Sequence, residues 1–307
     1  MNPAALAAVY SLAIFAAALL GGWVPLVVRL THTRLQLALS FVAGVILGIG
    51  LLHLVPHGFE ELQNIDQAVG WTMVGFLAMF FLERFFHFHR HDAPAEETHK
   101  HSHSHGHDTD HSHHHDEPCD HDHADLHKAG ALSWSGVLIG LALHGLMDGI
   151  AIAAAVQVEA GEPHGGLAGF GTFLAVLLHK PFDSLTIGTL LAASGWPRRW
   201  RHIVNVLYAV VAPLGILGFT LGLAELQKAH PALVGCTLCF AGGVFLCIAT
   251  SDLLPEVQFH SHDRIKLSIA LLLGVALASA IVLVETSGHS KPTAAISRHG
   301  SNSEFRL

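Results

Sequence analysis

Apolar residues along this chain come in long uninterrupted blocks, whereas an amphipathic helix or strand would alternate them with polar residues. A helix that crosses the hydrocarbon core of a bilayer needs about 20 predominantly apolar residues. Blocks of about this length predict eight transmembrane helices and an all-α integral membrane protein. Their approximate bounds are 4–28, 37–57, 69–86, 132–156, 167–193, 203–223, 232–254 and 267–284.

The composition agrees with this pattern. Only 13% of the 307 residues are charged, against roughly 25% in a soluble globular domain. The lipid bilayer is therefore an expected partner of the chain, and no nucleic-acid partner is expected.

Basic residues concentrate in alternate loops. The loops after spans one, five and seven carry Arg or Lys, whereas those after spans two and four carry only acidic charge, with Glu159 among it. Only Lys228, after span six, breaks the pattern. Because Lys and Arg accumulate on the cytoplasmic side, both termini are predicted to be extracytoplasmic. The short loops are typical of a bacterial-type inner (cell) membrane protein. The basic residues are Arg29, Arg34, Arg198, Arg199, Arg201, Arg264 and Lys266.

One segment, residues 87–131, is neither apolar nor typical of a folded domain. It is rich in His, Asp, Ser and Glu, which cannot bury enough apolar surface to offset the entropy of ordering. We predict a disordered cytoplasmic loop that captures metal weakly through its histidines, although a low-complexity tract without function has the same composition. The candidate ligands are His101, His103, His105, His107, His113 and His115.

The chain also repeats itself. Residues 41–57 align with 240–256, with matching Phe, Gly and Pro positions, and spans four and five share an H-x-x-x-D pattern. The members of each pair run in opposite directions, so the chain is predicted to be a 3+2+3 inverted repeat, an arrangement typical of secondary transporters. The predicted divisions are spans one to three (1–86), the loop (87–131), spans four and five with the metal site (132–195), spans six to eight (196–285), and an extracytoplasmic tail (286–307).

The strongest chemical pattern lies in spans four and five. His144 and Asp148, and likewise His179 and Asp183, are four residues apart and so share one helix face. Ionisable side chains inside membrane helices are costly and usually functional. Two imidazoles and two carboxylates suit Zn²⁺ tetrahedrally, and Fe²⁺, Mn²⁺ or Cd²⁺ with added water.

Further polar residues in the spans are weaker candidates. Lys180 either stands where a second cation would otherwise sit or pairs structurally with an aspartate. His53 and His57 are candidates for an entrance on span two, and Asp252 and Glu256 are the matching release pair on span seven. An alternative is that these four are helix-end groups at the membrane interface, as we also predict for Glu83, Asn205 and Glu285.

These motifs resemble the ZIP family of zinc- and iron-regulated transporters over roughly residues 4–285. His144–Gly149 is similar to the family's H-N-x-P-E-G, His179–Asp183 to its span-five motif, and Ser251–Glu256 to its H-E-x-x-P-E. The resemblance implies zinc uptake toward the cytoplasm, a homodimer, and an elevator-like motion of spans one, four, five and six. Uptake of Fe²⁺ or Mn²⁺ by the same fold is the nearest alternative.

The sequence departs from the family at three positions. Members with a two-metal centre take additional ligands at positions that correspond here to Gly145, Lys180 and Ala212. None of these three residues offers a carboxylate, so one transport site is expected.

Two other classes of protein fit the sequence less well. Cation diffusion facilitators share the His-rich loop but have six spans and a soluble C-terminal domain. A membrane-embedded zinc hydrolase would need an open metal position and a general base, and two identical His-Asp sets offer no asymmetric base. We therefore expect no enzyme and no prosthetic group, with the metal ion as transported substrate.

Overall fold

The computed structural model describes residues 2–27, 32–87, 123–161, 167–229, 232–253 and 264–287. These residues are helical apart from short turns, and no strand occurs among them. Two five-residue π-helical segments, π1 (Gly50–Leu54) and π2 (Ala249–Leu253), extend α2 and α8. The α-helices are α1 (Pro3–Val27), α2 (His32–Ile49), α3 (Val55–Leu62), α4 (Ile65–His87), α5 (His123–Ala160), α6 (Phe170–Ala193), α7 (Arg198–Ala229), α8 (Leu233–Ile248) and α9 (Arg264–Ser287).

Seven helical stretches of the described chain are long and apolar enough to cross a membrane. They are Pro3–Trp23, Thr33–Leu62, Ile65–Arg84, Ser135–Ala160, Arg198–Gly222, Leu233–Ser251 and Arg264–Val284. The all-helical membrane architecture predicted from the hydrophobic blocks is thus confirmed for seven of the eight predicted spans.

The helix missing from that set is α6, the predicted fifth span. Its 24 residues would reach about 36 Å at 1.5 Å per residue, so its length is sufficient. Its apolar character is reduced by His179, Lys180 and Asp183, two of which are fully or almost fully buried. A helix whose polar groups face its neighbours need not be apolar all round, and this is why composition alone does not identify α6.

The start of α5 also differs from the prediction. The helix begins at His123, inside the segment assigned to the His-rich loop, rather than near residue 132. Residues 88–122 lie outside the described part of the chain.

The helices pack in pairs, and glycines allow the closest contacts. The most extensive contacts join α2 with α9, α4 with α8, α5 with α7, and α1 with α6. Between α2 and α9, Gly44 faces the carbonyl of Leu271 and Gly274 faces the carbonyl of Phe41, so closely that a Cβ at either glycine would overlap the oxygen. Small residues allow this backbone approach between membrane helices.

The α4 and α8 pair is built in the same way. Gly243 on α8 faces the carbonyl of Thr72, and Gly75 on α4 faces the carbonyl of Phe240. The α2/α9 and α4/α8 pairs therefore each have one glycine from each partner against a backbone carbonyl of the other.

The π1 segment has a local cause. Pro56 follows it in the first turn of α3, and a proline ring clashes with the carbonyl four residues earlier and offers no N–H. The backbone N–H of Val55 instead reaches Gly50, five residues back, which widens the turn. His53 lies in π1, and its side chain is buried in the interior, with 1% exposed.

Helices α5 and α6 lie at the centre of this arrangement. Each contacts the other, and α1, α2, α7 and α8 pack around them. Polar side chains on the inner faces of α5 and α6 are consequently shielded by other helices.

Candidate metal centre

The four residues predicted to bind metal lie together on the two central helices. His144 and Asp148 are one turn apart on α5, and His179 and Asp183 have the same spacing on α6. His144, Asp148 and His179 are buried, and Asp183 is partly buried. One nitrogen or carboxylate oxygen from each residue lies within 4.8 Å of the other three. We call this group the central cluster.

The distances within the central cluster suit a tetrahedral ion. His144 Nε2 is 3.4 Å from Oδ2 of Asp148 and 3.4 Å from Oδ2 of Asp183. His179 Nε2 is 3.3 Å and 4.0 Å from the same two oxygens. Zinc bound at about 2.0–2.1 Å in a tetrahedron keeps its ligand atoms roughly 3.3–3.4 Å apart. The cluster therefore needs little rearrangement to bind one ion.

The orientation of the imidazoles also favours a cation between them. Nδ1 of His179 is 2.8 Å from the carbonyl oxygen of Ala175, which can only accept, so Nδ1 carries the proton and donates. In the neutral ring Nε2 then presents a lone pair to the Asp148 carboxylate, which is unfavourable unless a proton or metal ion lies between them. Within the described residues, Nδ1 of His144 and Oδ1 of Asp148 are buried without a hydrogen-bond partner.

A lysine and a tyrosine complete the surroundings of the aspartates. The Lys180 ammonium, which is fully buried, donates to Oδ2 of Asp148 at 2.8 Å and to Oδ2 of Asp183 at 3.4 Å. The Tyr208 hydroxyl donates to the same Asp183 oxygen at 2.9 Å. Lys180 Nζ also lies 5.0 Å from the centroid of the Tyr208 ring. The aspartate oxygens that face the imidazoles thus also accept hydrogen bonds from Lys180 and, at Asp183, from Tyr208.

Gly145 leaves the space that the ammonium fills. A Cβ at this position would lie 2.8 Å from Lys180 Nζ. Position 145 directly follows His144, so a side chain there would project into the same space as the lysine head.

The predicted entrance residues form a separate group with an unpredicted partner. His53 Nε2 is 2.9 Å from Oε1 of Glu159 at the end of α5. One ligand atom each from His53, His57 and Glu159 lie within 4.8 Å of one another. These three residues are called the second cluster. Glu60 adds an exposed carboxylate 3.5 Å from His57 Nδ1.

Several predicted site residues cannot be placed in this geometry. Asp252 lies in π2, but its side chain is outside the described part of the chain, as is the whole of Glu256. The same holds for the loop histidines His101, His103, His105, His107, His113 and His115.

Sequence reasoning missed three polar residues of the interior. Glu159 lies in a predicted loop, yet it is 9% exposed and bonded to His53. Asn205, predicted to be interfacial, is 4% exposed and donates to the carbonyl of Leu19 at 3.3 Å. Tyr208 is the third of these residues, and its hydroxyl donates to Asp183. Its available signal was a hydroxyl inside an apolar span, which usually needs a hydrogen-bond partner when buried.

Comparison with known proteins shows the family of the chain. The family model described as "ZIP Zinc transporter" matches residues 4–282. Zinc transporter 3 of Arabidopsis thaliana is 23% identical over 78% of this chain and 71% of its own length. Zinc transporter ZIP9-B of Xenopus laevis is 26% identical over 91% of this chain and 96% of its own length. Zinc transporter ZIP1 of Danio rerio is 26% identical over about half of each chain, 52% and 51%.

Proposed function

The chain belongs to the ZIP family of zinc transporters, and from that premise we propose that it carries zinc across the membrane through the central cluster. The observation that carries the proposal is the convergence of His144, Asp148, His179 and Asp183 at separations of 3.3–4.0 Å. The His/Asp ligand set also accepts Fe²⁺ and Mn²⁺, so uptake of these ions is the alternative within the same fold.

The centre binds one ion at a time. Two aspartates and one lysine give the empty cluster a net charge of minus one when both imidazoles are neutral, and a divalent ion brings it to plus one. A second divalent ion would add two more buried positive charges, which the membrane interior disfavours strongly. The position of the Lys180 ammonium above Gly145 supports this proposal, because it fills the space next to the first ion.

The helices follow a 3+2+3 inverted repeat. In the alignment of Phe41 with Phe240, π1 coincides with π2. The contact of Gly44 with Leu271 has its counterpart in the contact of Gly243 with Thr72. These coincidences support the repeat because the two halves share backbone irregularities and close contacts, which apolar composition alone does not produce.

Zinc moves toward the cytoplasm in this proposal, in a homodimer of an inner (cell) membrane with both termini outside. His53 and His57 serve the entrance, and Asp252 and Glu256 serve release at the matching position of the other repeat. The loop histidines capture the ion weakly after release. The basic loops and the family resemblance support this direction.

Uptake of radioactive ⁶⁵Zn into proteoliposomes tests the transport function. His144→Ala and Asp183→Ala each remove one ligand, and we expect the initial rate to fall more than roughly 100-fold, the upper end of the cost of losing even an outer-shell partner of a metal ligand. Monodisperse elution in detergent establishes that the variants are folded.

Matched controls separate ligand loss from charge loss. His202→Ala and Asp66→Ala remove an exposed imidazole and an exposed carboxylate outside the cluster, and both should transport at the normal rate. Normal zinc uptake by His144→Ala would overturn the proposed site. If the intact protein takes up iron or manganese but not zinc, the metal assignment is wrong and the site survives. A chain that moves no metal at all would favour the hydrolase alternative.

A further inference from the structure

We propose that His53, His57 and Glu159 form a second binding site for a divalent transition-metal ion. The site lies between the central cluster and the end of the bundle predicted to be extracytoplasmic. Its physiological role, as a station that the ion occupies before the central cluster, rests on the proposed transport function. Its existence as a metal site rests only on its own side chains.

The ligand set is chemically complete for an exchangeable ion. Two imidazoles and one carboxylate are a common three-ligand set for zinc, with a fourth position open to water or another ligand. His53 Nε2 and Glu159 Oε1 are already 2.9 Å apart. The rings of His53 and His57 meet edge to face, with centroids 4.7 Å apart. An ion at this point needs only an inward adjustment of the more exposed His57.

The carboxylate is held in place by the backbone. Oε2 of Glu159 accepts a hydrogen bond of 2.7 Å from the N–H of Gly169. Gly169 has a φ of 73°, the left-handed region that glycine enters without strain, and this turn aims the N–H at Glu159 just before α6 begins. The other oxygen, Oε1, is therefore directed at His53. Such support from outside the ligand set is typical of metal-binding carboxylates.

Exposure rises in steps from this site toward the surface of the bundle. The side chains of His53 and Glu159 are 1% and 12% exposed. His57 is 21% exposed and Glu60 70% exposed, with Nδ1 of His57 3.5 Å from Oε2 of Glu60. An ion can thus pass from an exposed carboxylate to an imidazole at the rim and then to a buried pair.

The second cluster is too far from the central cluster to share an ion. A Cβ on Gly171 would lie 3.5 Å from His53 Nε2, so His53 sits against the first turn of α6. His179 is eight residues further along α6, about 12 Å at 1.5 Å per residue. On α5, Glu159 lies eleven residues beyond Asp148, which gives about 16 Å.

One polar atom lies on the helix face between the two clusters. Thr172 is fully buried, and its hydroxyl has no hydrogen-bond partner within the described residues. It is seven residues, about two helical turns, before His179 and so shares its face of α6. An unpaired hydroxyl is costly in this position and offers an oxygen to an ion that moves along the helix.

Cobalt absorption of an engineered thiolate tests the second site, with the band of the intact protein as the baseline for Cys119 of the His-rich loop. In His57→Cys the new thiolate should bind Co²⁺ together with His53 and Glu159 and produce a thiolate-to-cobalt charge-transfer band in the full-length protein in detergent. The band should be displaced by Zn²⁺. It should disappear in His57→Cys/Glu159→Gln and in His57→Cys/His53→Ala.

Control variants define the outcomes. Glu61→Cys places an exposed thiol one turn from position 57 on the same helix and should give no band beyond that of the intact protein, which corrects for the native cysteines. His57→Cys/His144→Ala should keep the band whether or not the protein transports zinc, so failure of this site and failure of the central cluster are distinguishable. A band that persists in His57→Cys/Glu159→Gln, or no band in His57→Cys, overturns the proposal.

Uptake kinetics then test the native ligands. Glu159→Gln should raise the KM for zinc roughly tenfold, the lower end of the effect of removing a group that merely orients a ligand, and leave the maximal rate within about twofold. A structural His53–Glu159 pair predicts instead a lower yield of folded protein and an unchanged KM, and this result would overturn the proposal.

Discussion

The central cluster and the second cluster use the same kinds of side chain, imidazole and carboxylate, in different electrostatic settings. In the central cluster an ammonium lies 2.8 Å from Asp148 and 3.4 Å from Asp183. In the second cluster Glu159 is held by the ring of His53 and by a backbone N–H. The central cluster is largely buried and contains its own cation, whereas the second cluster opens toward the surface of the bundle through His57.

This difference affects how an ion binds at each place. In the proposed transport, a metal ion that enters the central cluster competes with Lys180 for the same oxygen of Asp148, whereas the contacts of Glu159 with the described residues include no such competitor. Because unpaired charge inside a membrane is costly, the lysine also stabilises the empty carrier after release. The second cluster is suited to capture, and the central cluster to controlled binding and release.

The largest effect is expected from a substitution that breaks the buried ion pair of Asp148 and Lys180. Asp148→Ala leaves Lys180 with the more distant Asp183, and we expect a loss of about 3 kcal/mol, the lower end of the cost of orphaning a buried charge. Glu159→Ala should cost only roughly 1–2 kcal/mol, because it leaves an imidazole and one N–H without their acceptor. Thermal unfolding in detergent measures both.

The double variant Asp148→Ala/Lys180→Met is the control for that comparison. It removes both charges and should recover most of the lost stability, while zinc uptake stays absent because a ligand is missing. If the double variant is as unstable as Asp148→Ala, the ion pair is not the source of the loss and the contrast between the clusters fails.

A smaller effect should follow from removal of the competing cation alone. Lys180→Met leaves two carboxylates without a positive partner in the empty carrier, so zinc should bind roughly tenfold tighter, a change of about 1.4 kcal/mol. Release then slows, so the KM and the maximal rate of ⁶⁵Zn uptake should both fall.

Lys266→Met, which removes an exposed lysine at the start of α9, is the matched control and should change neither constant. Weaker zinc binding by Lys180→Met would mean that the lysine orients the aspartates for the metal rather than competes with it.

Much of this contrast follows from local sequence pattern. The hydrophobic blocks predict the spans because each helix has to meet lipid, and the repeated H-x-x-x-D spacing predicts the central cluster because residues four apart share a helix face. Lys180 can also be recognised from the sequence alone, because it is a charged residue within a predicted span. These inferences needed no knowledge of which helices touch, except that spans four and five are adjacent.

The second cluster depends on contacts that local pattern does not contain. Glu159 is 106 positions from His53 in the chain, and its neighbours Gln157 and Gly161 make it resemble an ordinary span end. The turn at Gly169 that fixes its carboxylate lies beyond an intervening loop. Similarly, Tyr208 becomes part of the central cluster only because α7 packs against α5 and α6.

The smallest expected effect concerns that tyrosine. Tyr208→Phe removes the hydroxyl that donates to Asp183 at 2.9 Å but keeps the ring beside Lys180. A hydrogen bond to a charged group contributes about 1.5 kcal/mol or more. Only part of that differs between the empty and metal-bound cluster, so the KM for zinc should change roughly threefold to fivefold.

Tyr10→Phe is the matched control for Tyr208→Phe. Tyr10 is buried and stacks on Phe173 with ring centroids 4.1 Å apart, in α1 rather than at the aspartates. Loss of this hydroxyl, which lies away from the aspartates, should leave the KM for zinc unchanged. If the two variants change the KM equally, the Tyr208 hydroxyl supports the bundle in general. The hydrogen bond from Tyr208 to Asp183 would then have no separate effect on zinc binding. The difference between the two clusters would rest on Lys180 alone.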